Sequence, residues 1–595
     1  MPGPDLVIAT VPGVQQFITD SRSTADAHSA SRIVSDLTAA MRRVVVPPSA
    51  TVVLPSATGN DSVAGLPNRV VALAPSGTGT QLAKRMAEAA NDSWRTRCDS
   101  VARRLTDADR PAWTNECQAA AGFPVVQWVA VPAGPGGYIE QWQRASEALI
   151  ARKRVREFTA YDRRGRRPCG LTGRWTAVDN QLTRKLRVPL RRGEALSVPA
   201  LVKRGSRQAG GFPSTWSVAT APFRRDVLKT ASGQGEGTRE LRDAVTGLRS
   251  AVTVVERHGV RIGDGRIPGV SSEDEALDWL ARVEGAWLMP ETWSPEALAR
   301  DNDLPGNTVP DSVATEGRNA ATRLYKAAQA YNQANPAAMI APLTPYLAVL
   351  AQDADRMGAR LGKFPQTDDP AGWHGEVSQA LVRAGAEQRR VLESSEHMCR
   401  VVYAGGDDLL GFVPVRTALQ AVREANRAYV DTVGHVLSGS TASTALVFFH
   451  ASFPLRSALA AVRSLLHDAK QKSRPGFGLA VMRRGGQRVS VVRDWYAGHP
   501  EPARTPAVSS VESLVGAAAR GLSGRLAERL ERDRDALGQL SEEWLDRELH
   551  RLVGRHTTDE AVAERAVRAL LALRQGHLPP AELAVVARFV ASEGW

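Results

Sequence analysis

Two carboxylates side by side between glycines and apolar runs are the chemistry this sequence offers first. Gly405-Gly406-Asp407-Asp408 stands between Arg400-Val401-Val402-Tyr403-Ala404 and Leu409-Leu410-Gly411-Phe412-Val413. The β-prone runs on either side predict a hairpin whose tip presents Asp407 and Asp408. Adjacent carboxylates repel, and each is costly to desolvate, so such a tip suits a cation. Gly405 and Gly406 permit φ > 0 and leave a phosphate room against the backbone. A solvated acidic turn is the plainer reading of an isolated match. A second acidic element weighs against it. The apolar run from Tyr346 to Gln352 has the length of a strand and ends in Asp353-Ala354-Asp355. Carboxylates at a strand end and at a neighbouring hairpin tip can converge on one site. Hard cations such as Mg²⁺ take oxygen ligands and keep waters or substrate phosphates in the remaining positions. Two such ions can activate an attacking hydroxyl and stabilise a leaving pyrophosphate oxygen, the logic of nucleotidyl transfer. Asp353, Asp407 and Asp408 are therefore the candidate catalytic residues and metal ligands.

These groups must be positioned by the elements around them. From about residue 342 to 495 the pattern reads strand, helix, hairpin, helix, strand, with a further helix and a terminal hairpin turning at Gly485-Gly486. That order is the β-α-ββ-α-β of a ferredoxin-like palm. The opening segment has a similar rhythm. Strands are expected at Asp5 to Val11, Val44 to Val46, Thr51 to Leu54, Arg69 to Ala74 and Pro124 to Val131. Helices are expected from Val14 through Met41, Gln81 to Leu105 and Ile139 to Glu157. Residues 161 to 214 are polar, basic and rich in Gly, as loops or a small irregular module would be, and 218 to 333 read as mostly helical, including Ser272 to Val283. Leu514, Leu522, Leu526 and Leu530 form one stripe in a helical tail. The fold class is thus α+β and multidomain. It comprises a non-catalytic ferredoxin-like palm over 1–160, a basic and helical linker region over 161–340, a catalytic palm over 341–505 and a helical bundle over 506–595.

The whole chain bounds its class. Its 595 residues exceed one core, and 43% hydrophobic with 23% charged residues is the composition of a soluble globular protein. A net charge of +13 favours a polyanionic partner. The charge is clustered: Arg152, Lys153, Arg154 and Arg156, then Arg163, Arg164, Arg166 and Arg167, then Arg184, Lys185, Arg187, Arg191 and Arg192. Such a stretch suits RNA phosphates, an acidic partner subunit or simply a solvated face. Four scattered cysteines give no disulfide framework and fit a reducing cytoplasm. No signal peptide or membrane-spanning run is recognisable.

The ordered motifs go further than any one of them. "TVPGVQQFITDSRSTADAHSASRIVSDL" from Thr10 and "LPNRVVALAP" from Leu66 are followed by "PSTWSVATAPFRRDVL", "WLMPETW" and "YLAVLAQDADRMGARLG". Then come "RVVYAGGDDLLGFVPVRTALQAV" and "ALVFFHASFPLRSALAAVRSLLHDAK". Over nearly its full length the sequence resembles the large palm-containing subunit of type III-B (Cmr-type) CRISPR effector complexes. The resemblance implies an RNA-activated cyclase that joins ATP into cyclic oligoadenylate, an antiviral second messenger. It implies two Mg²⁺ (or Mn²⁺) ions on Asp353, Asp407 and Asp408, with ATP as substrate. One ion would lower the pKa of a ribose 3′-hydroxyl and the other would neutralise the triphosphate. Gly405 and Gly406 would face the nucleotide. His374 and Ser378, at i and i+4 near a helix start, match a polar pair of the family's nucleotide pocket, with helix capping and plain surface polarity as the alternative. Lys470, at a helix end, could reach a phosphate or serve the helix dipole. Asp355 is either a support of the site or a solvated turn carboxylate. Implied partners are crRNA, target RNA and the other Cmr-type subunits, the small helical one docking on the C-terminal helices, with no membrane.

Three departures qualify the resemblance. Many relatives carry an HD nuclease domain before the first palm; here the first strand begins at Asp5, so no such nuclease is expected. Relatives often hold zinc with paired cysteines, but in Cys169-Gly170-Leu171-Thr172-Gly173 a threonine replaces the second, and structural zinc is not expected. The first palm lacks an acidic pair of its own and is expected to help bind a second nucleotide. The competing readings are a catalytically quiet RNA-binding scaffold, a diguanylate cyclase and adenylyl transfer to another acceptor. A diguanylate cyclase would carry an acidic-acidic-aromatic tip in place of Asp407-Asp408.

Overall fold

The computed structural model describes all residues except 1–2, 57–64, 121–122, 156–165, 192, 208–210, 236, 303, 306–307, 487, 497–504 and 575–580. Two sheets organise it. The first contains β1 (Asp5–Thr10), β2 (Thr51–Leu54), β3 (Arg69–Ala74) and β4 (Gln127–Val131), in the order β2-β3-β1-β4. The second contains β5 (Tyr346–Ala354), β6 (Arg400–Gly405), β7 (Asp408–Pro414), β8 (Ala442–His450), β9 (Gly476–Met482) and β10 (Arg488–Asp494), in the order β10-β9-β8-β5-β7-β6. Its segment β6-β7-β5-β8 repeats the order of the first sheet, so both are built on the ferredoxin-like β-α-ββ-α-β plan. After the helix Leu455–Lys472, β9 joins β8 in parallel and β10 returns antiparallel.

β5 is the central strand, and its alternation decides where the acidic residues point. Leu347, Val349 and Ala351 pack with Leu459, Val462 and Leu465 of the helix Leu455–Lys472. Ala348 and Leu350 pack on the other face with Ala418, Val422 and Ala425 of the helix Ala418–Gly434. A strand covered on both faces reads as an unbroken apolar run, which is what the sequence shows. Asp353 continues the odd-numbered face, one step beyond the core.

The two sheets are joined by shared apolar packing. Leu6 and Ile8 of β1 meet Trp142 and Leu149 of the helix Gly137–Arg154, in one cluster with Trp373 and Val377 of the helix Pro370–Leu392. The opposite face of β1, Val7 and Ala9, packs with Ile33 and Leu37 of the helix Thr24–Arg43 and Leu82 and Met86 of the helix Gly79–Val101.

Several expected elements differ. The single helix expected from Val14 to Met41 is two, Val14–Thr19 and Thr24–Arg43, because Ser23 adopts extended geometry and its side chain accepts from Asp26 N as an N-cap. Val44 to Val46 is not a strand. Ser272 to Val283 is helical only over Asp278–Arg282. The basic region from 161 to 214, expected as loops or a small irregular module, contains the short helices Asn180–Lys185 and Val198–Gly205, the first capped by the Asp179 carboxylate. The tail forms helices between Ala507 and Gly594 whose buried residues join the cluster under the second sheet. No helix among the described residues is long and apolar enough to cross a membrane.

Candidate active site

The hairpin forms where its sequence predicts. Gly405 pairs with Asp408, leaving Gly406 and Asp407 as a two-residue turn, and Gly406 takes φ 76°. In the same sheet Asp353 lies directly opposite Asp408, and Ala354 N donates to Asp407 O at 2.7 Å. Residues opposite one another on antiparallel strands send their side chains to the same face, roughly 5 Å apart at Cβ. Strand register thus brings Asp353 and Asp408 together, and chain adjacency adds Asp407.

These carboxylates open onto a recess between the two palms. One lobe, about 490 Å³, is lined by Gln15, Gln127 and Lys153 from the first palm and by Asp407, Asp408 and Arg463 from the second. A smaller lobe of about 190 Å³ shares Gln15, Asp408 and Arg463 and adds Asp353 and Lys470. Burial, then the charge of Asp407, pushes the Asp408 carboxyl up to about 8, against a hydrogen bond from Gln15 and the Arg463 guanidinium. Burial raises Asp407 as well, opposed by Arg69. Asp407 still opens onto the recess and is the better solvated of the two. Without a cation, one of this pair is driven to hold a proton. The donor set is all oxygen, which fits Mg²⁺ or Mn²⁺ and not a thiolate-seeking metal.

The first palm holds its side of the site firmly. Arg463 donates to Thr19 Oγ1 at 2.7 Å and to Gln15 Oε1. The helix Val14–Thr19 is too short to persist unaided. Its end is fixed by Lys203, which is buried and donates to Phe17 O at 2.8 Å, to Asp20 O and to Ser21 Oγ at 3.3 Å. Burial pulls the Lys203 ammonium down to about 8, against Asp26 and Asp20.

Some expected placements are corrected. Asp353, Asp407 and Asp408 do not gather at a single point within 4.8 Å; they form two overlapping pairs, and Asp353 is engaged by Lys470. Gly405 does not make room for a ligand, because the Gly65 backbone fills the space its side chain would take. Gly406 is needed for its positive φ. His374 lies outside the recess: it is fully buried, its Nδ1 meets Tyr138 Oη at 2.9 Å and its Nε2 meets Leu361 O at 2.8 Å. Ser378 is buried too, accepting from Ser56 N at 2.9 Å, so the pair stitches the palms together. Asp355 is no solvated turn residue; its carboxylate accepts from Thr441 Oγ1 at 2.9 Å and Ser443 Oγ at 2.7 Å, anchoring the end of β5.

Sequence reading missed Gln15, Lys153 as a lining residue, Arg69 and Arg463. A signal for Arg463 was present. Arg463, His467 and Lys470 fall at i, i+4 and i+7, one face of the helix Leu455–Lys472, and all three line the smaller lobe. Elsewhere in the basic stretch, Arg166 pairs with Glu116 and Lys185 with Asp109; Arg156, Arg163, Arg164 and Arg192 lie outside the described residues. Among the described residues, one group of three potential ligands lies within 4.8 Å: Glu396, His397 and Glu424. Gln420 already bridges its two carboxylates, and His397 Nδ1 has no partner to orient the ring as a metal ligand requires.

The family model for the second palm domain of Cas10/Cmr2 matches residues 346–476, from the start of β5 to the start of β9. The model for the N-terminal part of CRISPR-associated protein Cmr2 matches residues 6–99. In these two stretches the chain is similar to the Cas10/Cmr2 family. Within the Cas10/Cmr2 match to the second palm lie Asp353, the Gly405 to Asp408 hairpin and Lys470; Gln15 and Arg69 lie in the Cmr2 N-terminal match. The Cmr subunit Cmr2 of Pyrococcus furiosus is 29% identical over 127 residues, 20% of this chain and 14% of that protein's length. The type III-B Cmr-beta structure in its apo state matches with a TM-score of 0.64 and 13% identity, over 100% of this chain and 82% of that one. The Cmr-beta structure bound to cognate target RNA matches with a TM-score of 0.63 and 12% identity, over 100% and 83%. At these identities the structural likeness is one of fold.

Proposed function

We propose that this chain is the large subunit of a type III-B RNA-guided effector complex and that it joins ATP into cyclic oligoadenylate when target RNA is bound. The observation that carries the reading is the paired arrangement of Asp353 and Asp407 around Asp408, on a recess walled by both palms and rimmed by Arg463 and Lys153, with the Arg69 charge acting on Asp407. A volume of about 490 Å³ is of the size that takes a small ligand such as a nucleotide. Asp353, Asp407 and Asp408 would hold two Mg²⁺ or Mn²⁺ ions, which supply charge neutralisation at the triphosphate and activation of a 3′-hydroxyl. Gln15 orients Asp408, and Lys153 and Arg463 face the phosphates. The two Cmr2-type family matches and a Cmr-beta neighbour bound to cognate target RNA support crRNA, target RNA and Cmr-type subunits as partners. A cytoplasmic site of action follows from that role.

Mass spectrometry of ATP products from the RNA-bound complex tests the reading. Cyclic oligoadenylate and pyrophosphate are expected from the parent. Replacing Asp407 and Asp408 together by Ala is expected to remove product, a loss of about a thousandfold or more, with RNA binding and assembly retained. Product at the parental rate from the double variant would disprove the assignment. The scaffold reading has one observation in its favour, the internal neutralisation of Asp353 by Lys470. An RNA-bound complex that leaves ATP untouched would select it, and a linear adenylylated acceptor would select adenylyl transfer.

A further inference from the structure

Lys470 sits in the last turn of the helix Leu455–Lys472, and its side chain is 17% exposed. Its ammonium makes an ion pair with the Asp353 carboxylate and donates to Ala354 O at 2.9 Å. Both acceptors belong to the end of β5, where Asp353 faces Asp408 and Ala354 N holds Asp407 O. A monovalent cation of the protein's own thus occupies the carboxylate that would ligate an ion. The helix end is itself secured, because Arg474 Nε donates to Lys470 O at 2.7 Å. The lysine stem is long and flexible, and it borders the lobe of about 190 Å³ that Asp408 and Arg463 also line.

We propose that Lys470 is an exchangeable counter-cation, holding Asp353 by ion pairing and yielding it when a divalent ion and a polyphosphate enter together. This rests on the nucleotidyl-transfer reading of the same site. An ammonium and a divalent ion on one carboxylate repel, so the ion's arrival expels the lysine. Expelled alone, the ammonium loses a half-buried partner. Expelled in the presence of a triphosphate, it gains a new one within the same cavity. Metal and nucleotide therefore bind with positive coupling, and each raises the affinity of the other by the same factor. The exchange also protects the site: the half-buried Asp353 carboxylate never stands without a cation, and a metal ion without substrate is held weakly.

The test is a Mn²⁺ titration of the full-length protein followed by electron paramagnetic resonance, with and without a non-hydrolysable ATP analogue. Lys470→Met is expected to tighten Mn²⁺ binding in the absence of nucleotide by about tenfold, a usual size for a coupling between two sites, and to shrink the nucleotide-induced gain by a similar factor. Lys470→Arg retains the charge and is expected to stay within about threefold of the parent, which separates loss of the cation from loss of fold. If the parent binds Mn²⁺ and Lys470→Met binds it no more tightly, the counter-cation role is overturned while the nucleotidyl-transfer reading stands. If neither protein binds Mn²⁺ even with the analogue, both fall.

Discussion

Gly405 and Gly406 are neighbours with different reasons to be glycine, and substitutions separate them. A Cβ at Gly405 would coincide with the carbonyl of Gly65, part of the first palm's chain pressed onto the hairpin. Backbone cannot step aside as a side-chain end can, so Gly405→Ala is expected to lower stability by about 3 kcal/mol and to spoil the seam between the palms. A Cβ at Gly406 would meet only Pro67 Cβ at 3.7 Å, an ordinary contact, but its φ of 76° strains any L-residue. Gly406→Ala should cost about 1–2 kcal/mol. Urea unfolding of the two variants checks the order, and equal costs would contradict it. The Gly-Gly pair was legible in the sequence as a tight acidic tip. Its reason was not, because the partner of Gly405 is a backbone 340 positions upstream, which no local pattern encodes. Asp353 and Asp408 were legible because strand ends carry their residues into register. Gln15 and Lys153 were not, since they reach the site from the other palm.

At the scale of elements, β6, the helix Thr24–Arg43 and the segment around Phe212 meet at His28. The imidazole stacks on Phe212 with ring centroids 4.6 Å apart, and the Arg400 guanidinium lies over the same Phe212 ring, 5.0 Å from its centroid. Burial, then the charges of Arg400, Arg32 and Arg389, push His28 from 6.5 down to about 4. The sign follows from linkage: the unfolded chain takes up the proton first, so stability is complete above pH 6.5 and falls as the pH drops toward 4. The contribution lost is on the order of 3 kcal/mol. Unfolding free energies at pH 7 and pH 4 are expected to differ less in His28→Gln than in the parent by about that amount. An unchanged difference would show that His28 does not titrate as placed. The same junction shows where element reading stopped short. Apolar period located the helix Thr24–Arg43, but the break before it depends on one capping hydroxyl, Ser23. The two helices inside the basic stretch were hidden by polar composition, although Asp179 stood at the cap position of one.

For the whole molecule, the helical tail is expected from sequence as a bundle of its own, and its leucine stripe does form buried packing. The packing continues without a boundary into the second palm. Phe589 of the last helix lies 5.7 Å from Phe448 of β8 and 5.0 Å from Tyr346 of β5 by ring centroids, and Arg493 of β10 donates to Leu573 O at 2.8 Å. Glu593 accepts from Thr344 just before β5, and Glu512 pairs with Arg423 on the helix Ala418–Gly434. The even-numbered face of β5 therefore has the tail as part of its core. Burying one large apolar side chain contributes roughly 2 kcal/mol, and a domain has only about 5–15 kcal/mol in hand, so uncovering several such residues exceeds what the palm can lose. A chain ending at residue 505 is accordingly expected not to accumulate in folded form, and in the full chain the palm and tail should gain hydrogen-exchange protection together. If the shortened chain folded and its Asp353–Asp408 site still took up Mn²⁺ with nucleotide at parental affinity, the tail would be a detachable module. The expected loss of both would instead make the tail part of the scaffold that holds β5, and through β5 the position of Asp353 against Asp408.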